Sequence, residues 1–115
     1  MLKEAVSLKE IGKEIAEYLS TYIIIDRIIL YGSYAYGEPR EDSDIDIAVI
    51  SEKFNAMSIT ERIELLAGIS LAIDSRIEAK GFTPEEYEAP SPGSLIELIK
   101  RKGKEMKSES GREKG

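Results

Sequence analysis

The sequence predicts a small α/β domain of the α+β kind: a mixed sheet of three to four strands, with helices packed mainly on one face. Three observations carry this. The chain has 115 residues, the size of one ordinary domain built on a single core. Segments with apolar residues at helical spacing alternate with short β-branched runs. Hydrophobic residues make up 42% and charged residues 33%, a globular composition rather than a disordered or fibrous one.

Each element has its own local reason. From Met1 to about Ser20, Leu2, Val6, Ile11, Ile15 and Leu19 recur near helical spacing with Lys and Glu between them, an amphipathic helix that Gly12 weakens without ending. Ile23 to Tyr31 is a β-branched run that reads as a buried strand and stops at Gly32-Ser33, where a short helical turn is expected. Asp44 to Ile50 alternates polar and apolar in its first half, the pattern of a second strand. Ser58 followed by Glu61 is capping-box spacing and opens a helix whose apolar stripe is Ile59, Ile63, Leu66, Ile69 and Ile73. Arg76 to Phe82 reads as a third strand. Thr83-Pro84-Glu85-Glu86 starts another helix, with a Thr cap, Pro at the first helical position and acids in the first turn. Pro90 and Pro92 break the chain, and Leu95 to about Met106 forms a last basic helix. One domain over 1–106 and a flexible tail over 107–115 follow as the expected organisation.

Composition removes whole classes of chemistry. There is no cysteine and no histidine, which excludes a disulfide framework, zinc fingers, iron–sulfur ligation and any Cys- or Ser-His triad. Chemistry must run on carboxylates, hydroxyls, Lys, Arg and backbone amides. The net charge is −6, so the chain lacks the basic face that counterion release on nucleic acid requires, and no direct nucleic-acid partner is expected. No apolar run reaches the roughly 18 residues of a membrane span, and the N-terminus lacks the apolar core of a signal peptide, so a cytoplasmic location is the expectation. Glutamine and tryptophan are absent and asparagine occurs once, a composition of the thermophilic kind.

The stretch Gly32 to Asp46 stands out. Gly32 and Gly37 have P-loop glycine spacing, but Glu38-Pro39 occupies the Lys-Ser/Thr positions. Asp42, Asp44 and Asp46 start like an EF-hand, yet Ile47 replaces the turn glycine and Lys53 the bidentate Glu. A dinucleotide fingerprint fails at Tyr34. What remains is physical. Residues two apart on a strand share a face, so Asp44 and Asp46 project side by side while Ile45 and Ile47 enter the core. Two carboxylates about 4 Å apart repel by roughly 4 kcal/mol at an effective dielectric near 20. A divalent cation offsets this, and hard oxygen ligands favour Mg²⁺ or Mn²⁺. Gly32-Ser33, after a buried strand and before a helical turn, offers backbone amides and a hydroxyl to a phosphate.

Gly32-Ser33, ten residues, then Asp44-Ile45-Asp46 resembles the G-S-x10-D-x-D signature of minimal nucleotidyltransferases of the DNA polymerase β-like superfamily, and within it the MNT antitoxins of HEPN/MNT toxin–antitoxin pairs. The Ser33–Glu38 and Asp42–Asp46 stretches fit, with Tyr36 where an arginine is frequent; Arg76-Ile77-Glu78-Ala79 and Phe82–Tyr87 resemble the family's third strand and following turn. The likeness spans about residues 10 to 103. It implies a polymerase β-like fold in which Asp44, Asp46 and a third carboxylate hold two Mg²⁺ ions. Glu78 is the candidate for that third position and Asp74 the alternative. Gly32 and Ser33 would hold the β- and γ-phosphates of ATP. Arg40 reads as a turn residue, Tyr34 and Tyr36 as packing or partner surface, and Lys100, Arg101, Lys102 and Lys104 as a solvated basic helix face. At this length no separate acceptor-binding domain is expected, which favours a protein acceptor. The resemblance implies transfer of AMP to a tyrosine hydroxyl of a cognate HEPN ribonuclease toxin. Two alternatives are a catalytically silent module that occludes its toxin, and transfer to a small-molecule hydroxyl. A homodimer or a hetero-complex is compatible with the exposed strand edges.

Overall fold

The computed structural model describes residues 3–40 and 42–108. In chain order the elements are α1 (Lys3–Leu19), β1 (Arg27–Tyr31), α2 (Ser33–Tyr36), β2 (Ile45–Ile50), a 3₁₀ turn (Glu52–Ala56), α3 (Ile59–Ala72), β3 (Ile77–Phe82), α4 (Pro84–Glu88), α5 (Leu95–Lys102) and β4 (Lys104–Ser108). The strands form one sheet in the order β3-β2-β1-β4. β1 is antiparallel to both β2 and β4, and β2 is parallel to β3. A parallel pair needs a crossover, and α3 supplies it.

The pleat sorts side chains onto two faces. On one face Ile28, Leu30, Ile45, Ile47, Val49 and Ile77 pack against Ile11, Ile15 and Leu19 of α1 and Leu66 and Ile69 of α3. Each fully buried isoleucine or leucine there adds roughly 1.5–3 kcal/mol. The two long helices thus lie on one face. On the other, Ile29, Tyr31, Ala48 and Ile50 are covered by Ile96 and Ile99 of α5 and by Tyr87 of α4. This shorter cover leaves one end of the second face open.

Both expected caps are in place. The Ser58 hydroxyl accepts from the Glu61 N–H at 3.1 Å while Glu61 accepts from the Ser58 N–H at 2.9 Å, and Thr83 and Glu86 make the same pair at 3.1 and 2.8 Å. Each box satisfies two otherwise orphaned helix donors.

Three expectations are corrected. The strand expected from Ile23 begins at Arg27, where the ladder with β2 starts opposite Ile50; just before it the Asp26 N–H donates to the Ile50 carbonyl at 2.8 Å. Ile23 and Ile25 are still buried, and the Ser51 hydroxyl donates to the Ile24 carbonyl at 2.6 Å. The stripe expected on α3 is rotated: Ile59 and Ile63 are more than 60% exposed, and the sheet-facing row runs through Arg62, Leu65, Leu66, Ile69 and Ile73. Arg62 turns inward because its guanidinium caps two carbonyls, Gly81 and Phe54, each at 3.2 Å. Finally, the basic helix ends at Lys102, and Lys104–Ser108 form β4, so the helix end expected near Met106 falls inside a strand. An unpaired β1 edge beside it explains this: backbone groups of β1 find partners in the chain that follows α5. Leu2 and residues 109–115 of the expected tail lie outside the described residues.

Candidate functional site

The open end of the second face is where the polar residues of β2 and β3 gather. The register aligns Tyr31 with Asp46 and Asp46 with Glu78, so these three form one row across β1, β2 and β3. Asp44 lies two residues before Asp46 and shares its face. Its approach to the sheet is held by the Ile45 N–H donating to the Arg76 carbonyl at 2.8 Å. Asp44, Asp46 and Glu78 each offer an oxygen within 4.8 Å of the others, with Asp46 half-buried and the other two exposed. They are the group among the described residues able to hold a metal ion.

Electrostatics match that geometry. Burial raises the Asp46 pKa above its ordinary range, and the Asp44 and Glu78 charges raise it further, opposed by Lys80. Three carboxylates crowd with one ammonium acting against the strain. A divalent cation fits this donor set: hard oxygens, no nitrogen or sulfur, and the charge of three carboxylates opposed by one lysine. Tyr31 is raised as well, by burial first and then by Asp46, Glu78 and Tyr36, so its hydroxyl stays protonated at physiological pH.

Gly32 sits against this cluster. Its φ is +77°, a conformation that side chains other than glycine's adopt with strain. A Cβ there would also collide with the Asp46 carboxylate. Gly32 is the N-cap of α2 and makes no side-chain cap bond; its carbonyl accepts from the Ala35 and Tyr36 N–H groups at 2.9 and 3.0 Å. The first N–H groups of this turn have no intrahelical acceptor. Gly32 and Ser33 therefore present donors beside the carboxylates.

Gly32, Ser33, Asp44, Asp46 and Glu78 are thus brought to one place. Asp74 is not part of it: its carboxylate is bonded to Arg76, at 2.9 Å to both the backbone N–H and Nη2, and shapes the turn into β3. Arg40 is an exposed turn residue whose N–H donates to the Ser43 hydroxyl at 2.8 Å. Tyr34 packs against the core, with its hydroxyl accepting from Arg76 at 3.3 Å. A cleft of about 340 Å³ opens beside the carboxylates, lined by Asp44, Glu78, Ser75, Arg76 and the Ile63 and Ala67 side of α3. Sequence reasoning missed Tyr31 and Lys80. The signal for both was available, since Lys80 is two residues from Glu78 on a strand and Tyr31 directly precedes Gly32.

Comparison with known proteins agrees with this picture. The family described as Polymerase beta, Nucleotidyltransferase matches residues 13–110. The chain is 32% identical over 77 residues to "Putative protein adenylyltransferase MJ1379" of Methanocaldococcus jannaschii, covering 67% of this chain and 77% of that one. It is 30% identical over 100 residues to "Putative protein adenylyltransferase MJ0141" of the same organism, covering 86% and 94%. Among solved structures, a nucleotidyltransferase-named protein from Sulfolobus solfataricus superposes with a TM-score of 0.61 at 19% identity, over 76% of this chain and 77% of the other. A toxin–antitoxin structure with AMP-PNP gives 0.60 at 24%, over 90% and 77%. A tri-AMPylated Shewanella oneidensis HEPN toxin in complex with MNT antitoxin gives 0.55 at 22%, over 92% and 76%. At such identities the structural likeness establishes the fold.

Proposed function

The chain belongs to the polymerase β nucleotidyltransferase family, and from that premise we propose that it is a Mg²⁺-dependent protein adenylyltransferase, an antitoxin that moves AMP from ATP onto a tyrosine hydroxyl of a partner HEPN ribonuclease toxin. The observation that carries the reading is the carboxylate row of Asp44, Asp46 and Glu78 with Gly32 pressed against Asp46. Two relatives named for protein adenylyl transfer and two structural neighbours that are toxin–antitoxin complexes support the acceptor class.

Each residue then has a task. Asp44, Asp46 and Glu78 hold the divalent ions, which when bound supply Lewis-acid stabilisation of charge on the transferring phosphoryl group. The N–H groups of Gly32 and Ser33 and the Ser33 hydroxyl orient the β- and γ-phosphates. The acceptor oxygen bonds to the α-phosphorus, the bond from that phosphorus to the bridging oxygen breaks, and pyrophosphate leaves. The acceptor's proton passes to the Glu78 carboxylate, which is exposed and so able to release it to water.

The test combines purified chain, Mg²⁺, α-labelled ATP and the protein encoded beside it. Mass spectrometry is expected to find an increment of about 329 Da, one AMP residue, on a tyrosine of that neighbour, and none with Asp44→Asn/Asp46→Asn. A stable complex without adduct would replace this reading with occlusion. An adduct on a small hydroxylated acceptor, with no protein partner needed, would replace it with small-molecule transfer.

A further inference from the structure

The basic run at the end of α5 divides into two environments. The Lys100 ammonium donates to the Glu88 carbonyl at 3.0 Å and lies 5.3 Å from the Tyr87 ring, so it is tied to α4. Lys102 points elsewhere: its ammonium lies 5.5 Å from the centre of the Tyr36 ring. Tyr36 closes the turn that Gly32 opens, and its N–H donates to the Gly32 carbonyl at 3.0 Å. The two basic residues, two positions apart, thus serve different neighbourhoods.

The fold makes this placement firm. β4 runs antiparallel to β1, with Lys104 opposite Leu30, two residues before Gly32. The corner between α5 and β4 is pressed onto β1 at Gly103, where a Cβ would come within 2.5 Å of the Ile29 methyl and 2.7 Å of the Ile99 carbonyl. The C-terminal end of α5 is therefore delivered to the end of the sheet that carries the carboxylates. Tyr36 ends the short helix that follows Tyr31, and Tyr31 lies opposite Asp46, itself opposite Glu78, in the sheet register, so Lys102 stands at the rim of the same site from the β1 side.

We propose that Lys102 is a triphosphate-binding residue, contributing its ammonium to the phosphates seated on Gly32 and Ser33. The inference rests on the nucleotidyltransferase reading above and adds a ligand from the far end of the chain. A carboxylate partner would neutralise the ammonium; an aromatic ring positions it and leaves its charge free for a phosphate. A lysine is a compact charge with three donors on a flexible stem, suited to meeting phosphate oxygens whose position shifts during the reaction. On the triphosphate's other flank the carboxylate row is acidic, so a cation on the β1 side completes the charge pattern that a tetra-anionic ligand needs.

Calorimetric titration of the full chain with α,β-methylene ATP in Mg²⁺ tests this. Lys102→Ala is expected to weaken binding about five- to tenfold, Lys102→Arg to restore most of it, and Lys100→Ala, which removes the same charge from the same helix turn, to leave it within twofold. Unchanged binding in Lys102→Ala, or equal weakening in Lys100→Ala, would overturn the assignment while leaving the site intact. Failure of the unsubstituted chain to bind the analogue with Mg²⁺ would overturn the nucleotide site itself, and Lys102 with it.

Discussion

Asp46 is the residue on which the site's electrostatics converge. Its pKa is raised by burial and by two neighbouring carboxylates, so in the metal-free protein ionising it disfavours the folded state. The sign follows from linkage: a raised carboxylate contributes stability that is full below its ordinary value of 3.8 and is lost as pH rises through the shifted value. At neutral pH the metal-free chain therefore carries an unrelieved repulsion. Asp44→Asn/Asp46→Asn is expected to match or exceed the unsubstituted chain in melting temperature in EDTA at pH 7, with the advantage gone near pH 3. The same variant should lose the stabilisation that Mg²⁺ confers on the parent chain. Thermal unfolding with and without Mg²⁺ checks both, and a double variant that unfolds would make the aspartates structural instead. The spacing of Asp44 and Asp46 made them legible as a pair. What burial and Glu78 do to Asp46 was not legible, because that neighbour arrives from a strand 32 positions on in the chain.

At the scale of elements, α3 shows how far periodicity reaches. Its start at Ser58 and its length follow from the capping box and the apolar repeat. The face it buries does not, because Ile59 and Ile63 fit a helical stripe as well as Leu65 and Ile69 do. Arg62 decides between them. Its side chain is 12% exposed; it donates to the Gly81 and Phe54 carbonyls and to Glu86, and lies over the Phe54 ring at 5.6 Å. Its Nε is buried with no hydrogen-bond partner, a sign of how closely the guanidinium is packed. Arg62→Ala is expected to destabilise the chain by about 2–4 kcal/mol, since it empties packed space and strands two carbonyls. Ile63→Ala should change stability by less than about 1 kcal/mol, because an exposed isoleucine has little burial to lose. Urea unfolding of the two variants checks the pair; the reverse ranking would return α3 to the orientation that its apolar spacing suggests.

For the whole molecule, charge and shape act together. The chain carries a net charge of −6, and its open site is a row of carboxylates on a sheet end that α4 and α5 leave uncovered. A triphosphate approaching without a cation meets repulsion from both the site and the surrounding field. Nucleotide binding is therefore expected to be at least tenfold weaker in EDTA than in Mg²⁺, with magnesium titration at fixed nucleotide as the measurement. Equal binding in both conditions would mean that the carboxylates do not face the phosphates. Among the described residues no helix is long and apolar enough to cross a membrane.

The sequence alone determined where the capped helices start and which residues of a strand share a face. Helix caps, strand alternation and the Gly32-Ser33 to Asp44-Ile45-Asp46 spacing are written in residues a few positions apart, where backbone geometry dictates who shares a face. Only the tertiary structure decided which distant groups meet. Glu78 rather than Asp74 stands beside the aspartates because the parallel β2–β3 register aligns it with Asp46 and because Asp74 is taken by Arg76. β4 exists because the open edge of β1 recruits the chain after Gly103, and that pairing carries Lys102 to the Tyr36 ring. Such pairings are chosen by burial and by unmet backbone hydrogen bonds between elements far apart in the chain, and no local pattern encodes them.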